Sequence, residues 1–223
     1  MDLVRVLYEP GAVFERVRER ARFFPPFIGL AVLVMVIQFL SLPYYRSAMA
    51  SVYAQMAQQN PQAGEAAQRF AFVGVFFWPI ILAVILLLSA MILWVLVSLF
   101  GGEGKFGTLL SVATYSSITF ILTQAVSLLI LVVKGKENLA SPLDLQPPIG
   151  LTLLIPTSGR FATAFLNGIN PFALWGLVLT AMGIAVTHKL SKGTAYTVAV
   201  IAMLFGLVIG AGLAATCAPK GPS

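Results

Sequence analysis

Three groups of residues in this chain have types that could do chemistry. The run Gly101-Gly102-Glu103-Gly104-Lys105-Phe106 looks like half of a phosphate loop. That motif needs G-x-x-x-x-G-K-[ST], so that backbone amides wrap the phosphates and a hydroxyl reaches magnesium. Here Leu99 stands five positions before Gly104, and Phe106 replaces the hydroxyl residue. No strand precedes the run, so Gly101, Gly102 and Gly104 are expected to make a flexible turn between helices. Neither nucleotide binding nor any other cofactor is expected. The second group is Ser111, Tyr115, Thr119, Thr123 and Ser127. Four-residue spacing lays them along one helical face. In lipid such side chains hydrogen-bond neighbouring helices. A path for a small solute is the sharper alternative, but no ionisable side chain accompanies the stripe. The third group is the lone His188 and the lone Cys217. They exclude an internal disulfide and a four-ligand Cys/His zinc site. His188 stands beside Lys189 at a helix end, which suits a structural imidazole. No nucleophile–base pair or metal set is visible, so no catalytic or metal-binding residue is expected. Cys217 has no assigned role.

The elements that must hold these residues are apolar. The chain of 223 residues is 59% hydrophobic and 10% charged, against about 25% charged in soluble domains. It cannot dress a water-facing surface, and lipid is its natural solvent. The net charge of +6 is spread along the chain. A nucleic-acid interface would need a concentrated basic face with stacking aromatics. Attraction to anionic lipid headgroups accounts for the charge.

The chain is expected to be all-α, a membrane domain of five transmembrane helices with an N-terminal amphipathic helix in the interface. Residues 1–22 form the amphipathic segment: Val13, Phe14, Val17, Ala21 and Phe24 recur at helical spacing, and arginines line the other side. The alternative is a solvated helix packed on the protein's own loops. The membrane domain covers 23–216, with spans at about 25–44, 70–100, 107–133, 171–188 and 194–215, and 217–223 is a polar tail. Residues 46–69 suit a short extramembrane helix pair broken at Asn60-Pro61. Residues 70–100 are uncharged and would run roughly 46 Å as one helix, beyond a hydrocarbon core of about 30 Å. Tilt, protrusion or a kink at Pro79 is expected, with Trp78 and Trp94 near the two interfaces.

Residues 134–159 are a proline-rich connection, followed by a short helix over 160–166 capped by Ser158. Residues 149–167 are either a shallow re-entrant element or a surface loop. Asn170 and Pro171 sign the start of the fourth span as N-cap and first helical residue, with Trp175 one turn inside. In the fifth span Gly206 and Gly210 form a G-x-x-x-G pair that permits close helix approach, within the chain first and in a homodimer second.

With the N-terminus in the cytoplasm, that side carries eight Lys and Arg against six opposite. The bias is strong at the first span, where Arg16, Arg18, Arg20 and Arg22 face Arg46 alone. The positive-inside rule therefore predicts an N-terminus inside and a C-terminus outside.

The order of these elements resembles the Yip1 domain family. The residues that carry the likeness are Glu9-Pro10-Gly11-Ala12-Val13-Phe14, the GGEGKF turn ahead of Tyr115-Ser116, Asn170-Pro171-Phe172-Ala173-Leu174-Trp175 with Leu179 and Gly183, and Ser191 to Ala195. The resemblance covers nearly the whole chain and implies five spans and a cytoplasmic N-terminus. Eukaryotic relatives act in vesicle traffic beside Rab-type GTPases. Their long N-terminal region and Asp-Leu-Tyr-Gly-Pro motif are missing here, and Thr194 stands where many carry Lys. The short chain is similar to prokaryotic members, which places it in a prokaryotic cytoplasmic membrane. The expected role is to organise lipid or membrane-protein partners, without catalysis; the alternative is a small permease or channel.

Overall fold

The computed structural model describes residues 2–217. All regular structure among them is helical. The chain opens with α1 (Asp2–Arg5) and α2 (Pro10–Glu19), followed by α3 (Phe24–Ala48), α4 (Ala50–Gln59) and α5 (Pro61–Leu99). Then come α6 (Phe106–Ser116), α7 (Ile118–Lys134), α8 (Arg160–Gly168), α9 (Pro171–His188) and α10 (Lys192–Cys217). Short 3-10 turns at Lys136–Asn138, Pro142–Leu145 and Leu151–Leu153 punctuate the proline-rich connection. Five stretches are long and apolar enough to cross a membrane: Phe24–Ala48, Pro61–Leu99, Phe106–Lys134, Pro171–His188 and Lys192–Thr216.

The residues group into two compact units. The first comprises Met1–Phe27, Ile85–Phe120 and Pro148–Ser223. Its centre is α6, whose residues from Leu109 to Ser116 are all buried. Around it lie α2, the C-terminal part of α5 and α9, and α10 packs on α9. Leu93, Val97, Leu109, Ala113, Ile184, Ala195 and Val198 form the core. The second unit comprises Ile28–Val84 and Ile121–Pro147. Ala48, Leu131 and Leu139 form its buried cluster, with Tyr44 and Leu145 against it. Ser47 Oγ donates to Lys136 O at 2.6 Å. The Asp144 carboxylate takes Lys134 Nζ and the amides of Ala140 and Ser141. Burial and the neighbouring Tyr45 push the Tyr53 phenol up to about 12.

Several elements depart from the expectations. The extramembrane helix pair is one short helix, α4, and a helical extension of the second span. Asn60 ends α4, and its Oδ1 accepts from Gln62 N at 3.0 Å at the start of α5. A 39-residue helix is about 58 Å long and continues through Pro79. The third span is two helices meeting at Ser117, whose backbone stands at φ −70° and ψ −4°. Ser117 Oγ bonds back to Ala113 O at 2.8 Å, a hydroxyl habit that bends helices. Gly159, not Ser158, is the N-cap of α8; its φ of +93° is open to glycine and strained for serine. The 218–223 part of the expected polar tail lies outside the described residues.

Candidate functional site

The chemistry-bearing residues of the first unit gather on two levels. The lower is the turn between α5 and α6. Gly101, at φ +80°, reverses the chain, and Gly102 N bonds Val97 O at 2.8 Å. Trp94 Nε1 donates to Gly104 O at 3.0 Å, which ties the turn to the last turns of α5. A Cβ at Gly102 would stand 2.6 Å from Val97 Cγ1 and 3.3 Å from Leu190 Cγ. One at Gly104 would stand 2.6 Å from Ser98 Oγ. The glycines therefore allow a tight turn wedged against the α9–α10 connection, and their amides do not surround an open cradle.

His188 is buried beside this turn. Its Nδ1 lies 2.6 Å from Thr187 Oγ1, which itself donates to Gly183 O. Which ring nitrogen carries the proton depends on the tautomer, and Nε2 has no hydrogen-bond partner among the described residues. The imidazole stands at the C-terminal end of α9, beside Lys189 at φ +53°.

The upper level is the contact of α6 with α9 and α2. A Cβ at Gly183 would stand 2.6 Å from Val112 Cγ1 and 3.0 Å from Phe14 Cε1. One at Gly176 would stand 2.5 Å from Thr119 Oγ1. Phe14, wholly buried, is thus a knob from α2 set between α6 and α9, with Val13 and Val17 buried beside it. The apolar side of α2 is covered by protein. Its charged side carries the ion pairs Arg16–Asp2 at 2.9 Å and Arg18–Glu15. Asn170 caps α9: its Oδ1 accepts from Phe172 N at 3.1 Å and Ala173 N at 3.0 Å, while Pro171 fills the first turn. Trp175, one turn on, is exposed.

The five-residue polar stripe is divided by the structure. Ser111 and Tyr115 lie on α6, and Thr119, Thr123 and Ser127 lie on α7. Thr123 and Ser127 belong to the second unit. Ser111 Oγ donates to Gly107 O at 2.9 Å and Thr119 Oγ1 to Ser116 O at 3.0 Å, so both turn toward their own helical backbone. Gly176 belongs to no motif legible in the sequence, although it and Gly183 are seven residues apart and share a face two turns along. Gly206 and Gly210 behave differently. Among the described residues of this unit, nothing beyond their own helix stands within 4 Å of a Cβ built on either.

The Yip1 domain model matches residues 4–213. Membrane protein YknW of Bacillus subtilis (strain 168) is 27% identical over 218 residues, covering 93% of this chain and 87% of the relative. No solved structure matches. The five apolar helices and a family model that runs from α1 to the last turns of α10 agree on one assignment: the chain is a multi-pass membrane protein and belongs to the Yip1 domain family.

Proposed function

We propose that this protein is a non-enzymatic organiser of membrane lipid or of membrane-protein partners. The observation that carries the proposal is the seating of α2. Phe14 locks its apolar side between α6 and α9, so the charged side of α2 is held in a fixed orientation against the bundle. A rigid charged helix ahead of the first span serves as an interfacial platform for anionic headgroups or for the charged surface of a partner. Gly206 and Gly210 offer a second surface, on α10, where another helix or a second copy can approach closely. The permease alternative is less supported, because Ser111 and Thr119 commit their hydroxyls to backbone carbonyls.

In this proposal the protein sits in a prokaryotic cytoplasmic membrane with its N-terminus inside. Residues 23–216 act as the membrane domain, and GGEGKF and His188 face the cytoplasm. A C-terminal reporter active only in the cytoplasm should then stay silent. Crosslinking in native membrane, with identification of what is captured, tests the role. Recurrent capture of lipid or of defined membrane proteins, lost when the seating of α2 is broken by Phe14→Ala, supports it. Protein that repeatedly purifies alone and without lipid in mild detergent overturns it. Liposome flux abolished by Thr119→Val plus Thr123→Val would favour the permease instead.

A further inference from the structure

The segment from Ile149 to Ile169 doubles back on itself beside α10. Asn167 Oδ1 gathers three donors: Ile149 N at 2.9 Å, Gly150 N at 3.1 Å and Thr152 Oγ1 at 3.0 Å. Leu151 N bonds Ile169 O at 3.1 Å, which closes the base of the hairpin. Gly150 fits there because a Cβ would stand 2.5 Å from Asn167 O and 2.6 Å from Leu166 O, both backbone atoms that cannot step aside. Leu153, Leu154 and Ile155 bond back to Gly150 O or Leu151 O. Within the turn itself, the amides of Ile149 to Leu151 and of Leu153 to Ile155 are thus bonded inside the segment, as lipid favours for non-helical backbone.

Its level along α10 is fixed by packing. α9 and α10 are joined by only three residues and pack side by side. α9 has 18 residues, about 27 Å, and α10 has 26, about 39 Å. α10 therefore runs about 12 Å past the start of α9. The hairpin packs close to where that stretch begins, with α8 against α10 and Gly168 so close to Leu207 Cδ2 that a side chain there would crowd it. The outer surface of α10 from its midpoint onward, on either side of Leu207, is apolar and exposed, at Leu204, Phe205, Val208, Ile209 and Leu213. The hairpin continues it: Leu153 is 65% and Leu154 79% exposed, with Ile155 and Phe161 beside them.

We infer that residues 149–169 form a re-entrant hairpin whose Leu153–Ile155 tip sits among lipid acyl chains, in the leaflet opposite the α9–α10 turn. The occupant of this apolar surface is the bilayer, because the surface is continuous with the lipid-facing side of α10. The hairpin completes the crossing that α9, shorter than a hydrocarbon core of about 30 Å, leaves unfinished. This inference goes beyond the organising role and does not depend on it.

Spin-label accessibility in nanodiscs tests it on the full-length chain, in a Cys217→Ser background with Leu154→Cys as the labelled site. A label at Leu204→Cys, midway along α10, is the lipid reference and also reports whether the variant entered the membrane. The expected result is an oxygen preference at Leu154 of the same sign as at Leu204, with collisions with a water-soluble nickel chelate reduced several-fold relative to free label. A label open to the nickel chelate places the tip in water and overturns the inference. A label shielded from both agents places it against protein and overturns it equally. Leu153→Cys repeats the measurement where Leu154→Cys does not yield folded protein, since neither exposed side chain is needed for packing.

Discussion

Gly176 and Gly183 stand seven residues apart on α9, and Gly206 and Gly210 stand four apart on α10. Both pairs place small residues on one helical face. On α9 each gap is filled: Thr119 fits against Gly176, and Val112 with Phe14 fits against Gly183. On α10 nothing among the described residues of the unit, beyond the helix itself, approaches either glycine. What separates the two faces is the neighbour. α9 faces α6 and α2, which supply rigid knobs of the right size, while the α10 face has no helix of its own unit over it. Glycine spacing marks where a close approach is possible, and only the partner element decides whether it happens. A filled glycine acts through close packing in this chain; an open one is available to something else.

The sharpest way to break that comparison is to add volume on the filled side. Gly183→Leu should cost about 1–3 kcal/mol, because Val112 is stiff at χ1 and Phe14 is wholly enclosed. Unfolding of the purified protein in bicelles measures this, and an unchanged midpoint would show that the α2–α6–α9 contact is looser than described. Removal of the cap at the start of the same helix should have the next largest effect. Asn170→Ala strands the amides of Phe172 and Ala173 and should cost about 1 kcal/mol, whereas Asn170→Asp should retain most of the stability.

A control lies in the second unit, where no glycine is at issue. Lys134, with backbone donors from Ser141 and Ala140, holds the Asp144 carboxyl at about 2. A lowered carboxylate pKa adds stability above the unfolded value of about 3.9 and loses it as pH falls through about 2. Solvent screens this exposed pair, so about 1 kcal/mol should disappear over that window. Asp144→Asn should flatten the acid limb of a stability–pH curve, and an unaltered limb would show that the pair contributes nothing. The smallest effect is expected on the open side. Gly206→Ala and Gly210→Ala should leave the isolated protein unchanged or stabilise it by up to about 1 kcal/mol through helix propensity. If either instead destabilises the purified monomer, the α10 face is covered by this chain and the comparison fails.

The helices were legible in the sequence because their signals are local. Uncharged runs set the spans, and the Asn170-Pro171 pair marked the start of α9 in residue types alone. The break at Ser117 was not legible, because an unbroken uncharged run crosses it and a hydroxyl's choice between its own carbonyl and a neighbour leaves no trace in composition. The amphipathic pattern of α2 pointed to the membrane interface, whereas Val13, Phe14 and Val17 are buried against protein. The structure puts Val112, Phe14 and Gly183 together across α6, α2 and α9, a meeting that only tertiary packing decides. Likewise, Gly206 and Gly210 form the short G-x-x-x-G spacing, while the tighter contacts belong to the wider pair on α9.

The socket for Phe14 also imposes an order in time. The ribosome makes Phe14 near the start of the chain, and Gly183 follows about 170 residues later. At roughly 5–20 residues per second, α2 waits on the order of 10–35 s before its place between α6 and α9 exists. α6 is made before α9, so α2 meets one wall of its socket first and is enclosed between the two only when α9 follows.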